Sequence, residues 1–153
     1  MLAVVFLVLA VFITQRYPNT EGSGIPELKS VLAGVSIYRY LSLRILICKI
    51  LALVLATTAG LFIGKEGPFV HISASIANNL TKIGVFRRLH EKDTFRKQLL
   101  AVAAGIGITA TFGTPIGGAL YSIEVMATFF QVGHFCKTLF TSLLCGLTLN
   151  AIL

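Results

Sequence analysis

Apolar residues run almost without a break along this chain, and short clusters of glycine, proline and polar residues cut the run into pieces. Residues 2–14 form the first piece and predict a helix ending near Gln15-Arg16-Tyr17, where Pro18 and Asn19 break it. Ser23 is placed as an N-cap and Pro26 in the first turn of a short helix reaching about Gly34. Residues 36–40 read as a polar connection. A longer apolar helix follows over 43–62, with Arg44 and Lys49 near its start, where long basic side chains snorkel to a membrane interface. Gly67-Pro68 predicts another helix start, continued to about Lys82 by Ile72, Ile76 and Leu80 at helical spacing. Asp93 or Thr94 caps the next segment. That segment, 97–125, is interrupted at Gly113-Thr114-Pro115, with Thr114 as cap and Pro115 in the first turn. A last helix runs from about His134 to the end.

The pieces are short and unequal, unlike a row of uniform spans. Three of the starts share one form, a small or polar residue with proline just after: Ser23/Pro26, Glu66/Pro68 and Thr114/Pro115. The first N–H groups of a helix lack intrahelical partners and carry the positive end of the macrodipole. Converging starts of this kind inside a membrane protein are a device for holding anions. Glu66 sits between Gly64-Lys65 and Gly67-Pro68, where a tethered carboxylate can occupy such a site or swing away from it. Acidic residues inside membrane sequence are mostly functional, so Glu66 reads as a gate.

Composition agrees with a bilayer environment. Hydrophobic residues make up 56% of the 153 and charged ones 12%, against roughly a quarter charged in ordinary globular domains. The fold expected is an all-α membrane protein of short, tilted, discontinuous helices. The net charge is +7, and Lys82, Arg87, Arg88, Lys92, Arg96 and Lys97 gather in one stretch. No aromatic platforms interleave with them and apolar segments flank them, so they read as a cytoplasmic loop, with no nucleic-acid partner. Asn79-Leu80-Thr81 is a glycosylation sequon that this placement leaves unmodified.

Cys48, Cys136 and Cys145 show no metal or disulfide spacing and read as small buried hydrophobes; no metal site is expected. Gly60-xxx-Gly64-Lys65 is one residue short of a phosphate loop, and Gly105-x-Gly107 lacks the rest of a dinucleotide motif. Gly113-xxx-Gly117 fits a helix-packing pattern, and Gly117-Gly118 reads as packing. His71 is placed in the core, Glu124 as a tie between helix ends, and Tyr121 at either core or interface. The apolar start has neither a basic leader region nor a cleavage site, so the chain is expected to begin partway through a longer membrane protein.

Three motifs in order resemble the CLC family of chloride channels and chloride/proton exchangers: Gly22-Ser23-Gly24-Ile25-Pro26, then Gly64-Lys65-Glu66-Gly67-Pro68 with Phe69-Val70-His71, then Gly113-Thr114-Pro115-Ile116-Gly117-Gly118 through Glu124. The resemblance covers essentially residues 1–153 and implies about the third to ninth helices of a CLC membrane domain, without CBS domains. It implies chloride as the ligand and no cofactor. Ser23 would contact the central ion with its hydroxyl, with Gly24, Ile25 and Pro26 completing that helix start. Glu66 would gate the outer site, Gly67 and Pro68 would present backbone there, and Lys65 would supply attractive potential. Lys65 also fits a plain snorkelling anchor.

Exchangers of the family carry a second glutamate where this chain has Val125. Valine carries no proton, so the resemblance favours a passive voltage- or chloride-gated channel of the plasma-membrane branch, to which Thr128-Phe129-Phe130 is also similar. The alternatives are an exchanger and a truncated, non-conducting structural piece. A homodimer is implied, joined through 115–130 and 134–153.

Overall fold

A computed structural model describes residues 1–82, 93–126 and 132–152, the last group from Phe135 onward with side chains. Seven α-helices lie within these residues: α1 (Leu2–Arg16), α2 (Ile25–Ala33), α3 (Leu43–Thr58), α4 (Glu66–Leu80), α5 (Asp93–Phe112), α6 (Pro115–Tyr121) and α7 (Val132–Ile152). No strand occurs among the described residues. A 3-10 turn at Pro18–Thr20 follows α1, and a π-helical turn over Ser122–Met126 continues α6.

The predicted breaks fall where proline and left-handed glycines require them. Gly24 (φ +84°) begins α2, Gly34 (φ +112°) ends it, and Gly113 (φ +69°) separates α5 from α6. A side chain is strained at such φ values, which is why glycine occupies them. The end of α3 and the cap of α2 differ from expectation. Helix α3 stops at Thr58, and Ala59-Gly60 turn the chain so that 61–64 runs without helix. Ser23 does not hold the cap position of α2; Gly24 does, although the Ile25 N–H donates to Ser23 Oγ at 3.3 Å. Thr114 takes the expected cap position of α6, but its side chain makes no cap hydrogen bond.

Helix α4 lies along α5, and α5 in turn packs against α6 and α7; α1 lies on α3, which touches α4. The core joins Leu28 and Leu32 of α2, Val70 and Ala74 of α4, and Leu100, Ala101, Ala104 and Ile108 of α5. Tyr40 and Leu41 of the 36–42 connection complete it, so that connection is less polar in its role than in its composition. Small residues set the helix separations. A Cβ on Gly107 would come within 2.9 Å of the Phe69 carbonyl and Val70 Cα, and one on Gly105 within 2.6 Å of the Gly118 carbonyl. These contacts, rather than the expected Gly113-xxx-Gly117 pattern, bring the helices close. Nothing lies near a Cβ on Gly113, and one on Gly117 would meet its own cap residue, Thr114.

Other expectations are corrected by burial. Cys136 is exposed, not buried. Glu124 is exposed and, among the described residues, ties nothing together. Tyr121 packs against the core. The basic residues Arg87, Arg88 and Lys92, together with Thr128, Phe129 and Phe130, fall outside the described residues. Among those described, one helix (Phe135–Ile152) is by itself long and apolar enough to cross a membrane; Leu2–Arg16 is apolar but shorter.

Candidate anion site at two helix starts

Two of the three proline-marked starts meet. Gly67, in the first turn of α4, is packed directly on Ser23: a Cβ there would lie 2.8 Å from Ser23 Cα and 2.9 Å from its carbonyl oxygen. Glycine at 67 is therefore required by the approach of another segment's backbone. Beside this junction opens a cavity of about 600 Å³, walled by α1, α3, the 20–25 segment and the start of α4. Ser23, Ile25, Glu66, Gly67 and Pro68 line it. Gly24 and Pro26 do not; Gly24 is buried behind it and Pro26 is exposed elsewhere on α2. Lys65 is the cap residue of α4, exposed, and does not line the cavity. The third start, Thr114/Pro115, is not part of this wall: Pro115 faces a separate hollow with Leu143, Gly146 and Leu147 of α7.

Glu66 is the first residue of α4 and half-buried. Its carboxylate folds back toward Gly64, where Oε2 would lie 2.8 Å from a Cβ on that glycine. Among the described residues it has no hydrogen-bond or ion-pair partner. An unpaired carboxylate at the positive end of a helix is stabilised there by the dipole yet tied down by nothing.

The segment carrying Ser23 is held by side chains from three other elements. Lys49 of α3, read from sequence as a snorkelling base, is instead 4% exposed. Its Nζ donates to the carbonyls of Thr20 (2.8 Å) and Gly22 (2.6 Å). The Tyr40 hydroxyl donates to the Gly24 carbonyl at 2.7 Å. Burial, with the Glu27 carboxylate adding to it, holds the Tyr40 hydroxyl well above its ordinary pKa, so it stays a donor. His71 of α4, 1% exposed, stacks on the Tyr40 ring with centroids 4.2 Å apart, and its Nε2 lies 3.3 Å from the Tyr40 carbonyl oxygen. A Cβ on Gly24 would run into both Tyr40 Oη (2.8 Å) and His71 Cβ (2.9 Å). His71 is thus the core histidine expected from the sequence, and its ring seats the first turns of α4 against the start of α2.

Sequence reasoning missed Lys49 and Tyr40. The available signal for Lys49 was its position well inside an apolar helix, flanked by Cys48 and Ile50. Tyr40 offered none.

Known proteins resemble this chain. A family profile described as voltage gated chloride channel matches residues 6–153. Chloride channel protein F of Dictyostelium discoideum is 44% identical over 125 residues, 82% of this chain and 16% of that protein. Chloride channel protein 2 of Homo sapiens is 41% identical over 126 residues, 82% of this chain and 14% of that protein. The crystal structure of a eukaryotic CLC transporter superposes with a TM-score of 0.88 at 37% identity, covering 97% of this chain and 28% of that one. The chain therefore spans about a seventh of the length of these curated relatives. By the profile match and the superposition, the chain belongs to the CLC family of voltage-gated chloride channels and transporters, integral membrane proteins, and has part of their fold.

Proposed function

We propose that this chain forms part of the chloride pathway of a passive CLC channel, with Ser23 and the first turn of α4 facing the ion and Glu66 closing the path. The observation that carries the reading is the contact of Gly67 on Ser23 beside a cavity whose wall includes the unpaired Glu66 carboxylate. The positive ends of two helices then lie beside one volume, and a movable acid competes with a halide for it. Lys65, lying outside the wall, contributes field from a distance.

Passive conduction is favoured over proton-coupled exchange by Val125, half-buried near the end of the π-helical turn, where exchangers place a proton-carrying glutamate. An aliphatic side chain cannot relay a proton. Exchange is the second reading, favoured by the similarity to a solved transporter at 37% identity. Reversal potentials of the full-length parent protein, measured with and without a pH gradient, separate the two. A channel gives a reversal potential fixed by chloride alone; a shift with pH overturns the channel reading.

The parent protein is proposed to act as a homodimer in the plasma membrane. Helix α7 supports this with its exposed Phe140, Leu143, Leu144 and Leu147, an apolar face that a second subunit would cover.

A further inference from the structure

A second hollow, of about 580 Å³, opens at the far ends of the two helices that begin at the candidate ion site. Its wall is made by the last turn of α2 and the connection after it, the end of α4, and the first turns of α5. Four cations line it, Arg39, Lys82, Arg96 and Lys97, against one carboxylate, Asp93. Its volume is that of an ordinary small-molecule site and far exceeds what a halide fills. The two hollows share no lining residue.

Membrane proteins collect basic residues on cytoplasmic loops whether or not anything binds there. This group differs in being concave and partly pre-set. Arg96 Nε donates to Asn78 Oδ1 at 3.2 Å. Asn78 is itself 2% exposed and donates from Nδ2 to the Leu41 carbonyl at 3.1 Å. Both Nη groups of the Arg96 guanidinium have no hydrogen-bond partner among the described residues. A planar fork held in this way loses little entropy on gripping a phosphate through two parallel hydrogen bonds. Lys97 reaches across from α5, its Nζ lying 3.4 Å from a Cβ on Gly34 at the end of α2. Among the described residues the ammonium groups of Lys82 and Lys97 are in no ion pair, so their charge stays open to a ligand.

We propose that this hollow binds a polyphosphorylated anion, the shared chemistry of a phosphoinositide lipid headgroup and a free inositol phosphate. Arg96 grips one phosphate, and Lys82 and Lys97 neutralise the rest. Basic hollows between membrane helices on the cytoplasmic side suit such headgroups, and Lys82, Arg96 and Lys97 belong to the stretch read as cytoplasmic. The site stands apart from the chloride-pathway reading, and its test needs no ion flux.

The test uses the full-length parent protein in phosphatidylcholine nanodiscs, titrated with a fluorescent short-chain phosphatidylinositol bisphosphate and read by anisotropy against empty discs. Saturable binding is expected. Lys82→Gln combined with Lys97→Gln should weaken it about tenfold; both side chains are exposed and replaceable. Arg96→Lys keeps the charge, loses the fork, and should weaken binding about threefold. Removing equal charge outside the hollow, by Lys29→Gln with Arg44→Gln, should leave the affinity within about twofold. Inositol trisphosphate, added as competitor, separates the sources. Full displacement supports recognition of the free anion, and saturable lipid binding without displacement supports the membrane-borne headgroup. No saturable binding of either probe, wild-type affinity in the Lys82/Lys97 variant or in Arg96→Lys, or equal weakening by the two double variants overturns the proposal.

Discussion

Two helix starts of this chain look alike in sequence and sit in different surroundings. Gly64-Lys65-Glu66-Gly67-Pro68 and Gly113-Thr114-Pro115-Ile116-Gly117 each place proline in the first turn of a helix. The first opens on a cavity with three ionisable side chains on its wall. The second is packed against α7, where a Cβ on Gly146 would lie 2.8 Å from Pro115 Cγ, and the surrounding hollow is lined mostly by apolar residues. Proline and glycine therefore mark where a helix begins, and charge at the start distinguishes the proposed ion site from a packing joint.

The contrast can be broken most forcefully at Glu66. In the full-length parent, Glu66→Gln should leave the pathway open and remove most of its voltage dependence, because the charge that competes for the helix donors is gone. Voltage-step recordings with unchanged relaxation would remove Glu66 from the gate. A nearly as large effect is expected from Gly67→Ala, whose Cβ has no room beside Ser23. Separating the two starts should cut chloride flux about tenfold, at an overpacking cost of roughly 1–3 kcal/mol. Gly117→Ala at the other joint, facing only Thr114, should leave flux and its chloride dependence as they were.

Smaller effects sharpen the comparison. Tyr40→Phe removes the hydrogen bond to the Gly24 carbonyl while keeping the ring stacked on His71. A loss of about 1 kcal/mol is expected, read as a lowered thermal midpoint in detergent with a modest drop in flux. Gly113→Ala introduces a side chain at φ +69° with nothing nearby to clash. It should cost about 1–2 kcal/mol by the same thermal assay and leave ion selectivity untouched.

Helix breaks and the all-α class were legible because each depends on local chemistry: proline in first turns and glycine at positive φ, whereas the meeting of the Ser23 and Glu66 starts was implied only by the family resemblance. The end of α3 at Thr58 was not legible, since Ala59 to Ile63 remain apolar and only the backbone turn at Gly60 (φ +80°) ends the helix. The Thr114 start shares its local signature with the other two, and its exclusion from the cavity follows from contacts with α7, more than twenty residues downstream. Lys49 shows the same limit most clearly. Periodicity cannot tell a lysine reaching for lipid headgroups from one turned inward to backbone carbonyls, because the two differ only in what tertiary structure places beside them.

Gly67 jammed on Ser23 fixes the main chain at residue 66 within the helix, so any displacement of the acid is left to rotation about its own side-chain bonds. Rotamer changes of a single side chain are faster than the microsecond-to-millisecond motions of a hinge or a sliding helix. On the proposed reading, a barrier hung on so rigid a post would admit ions one after another while the surrounding bundle stays still.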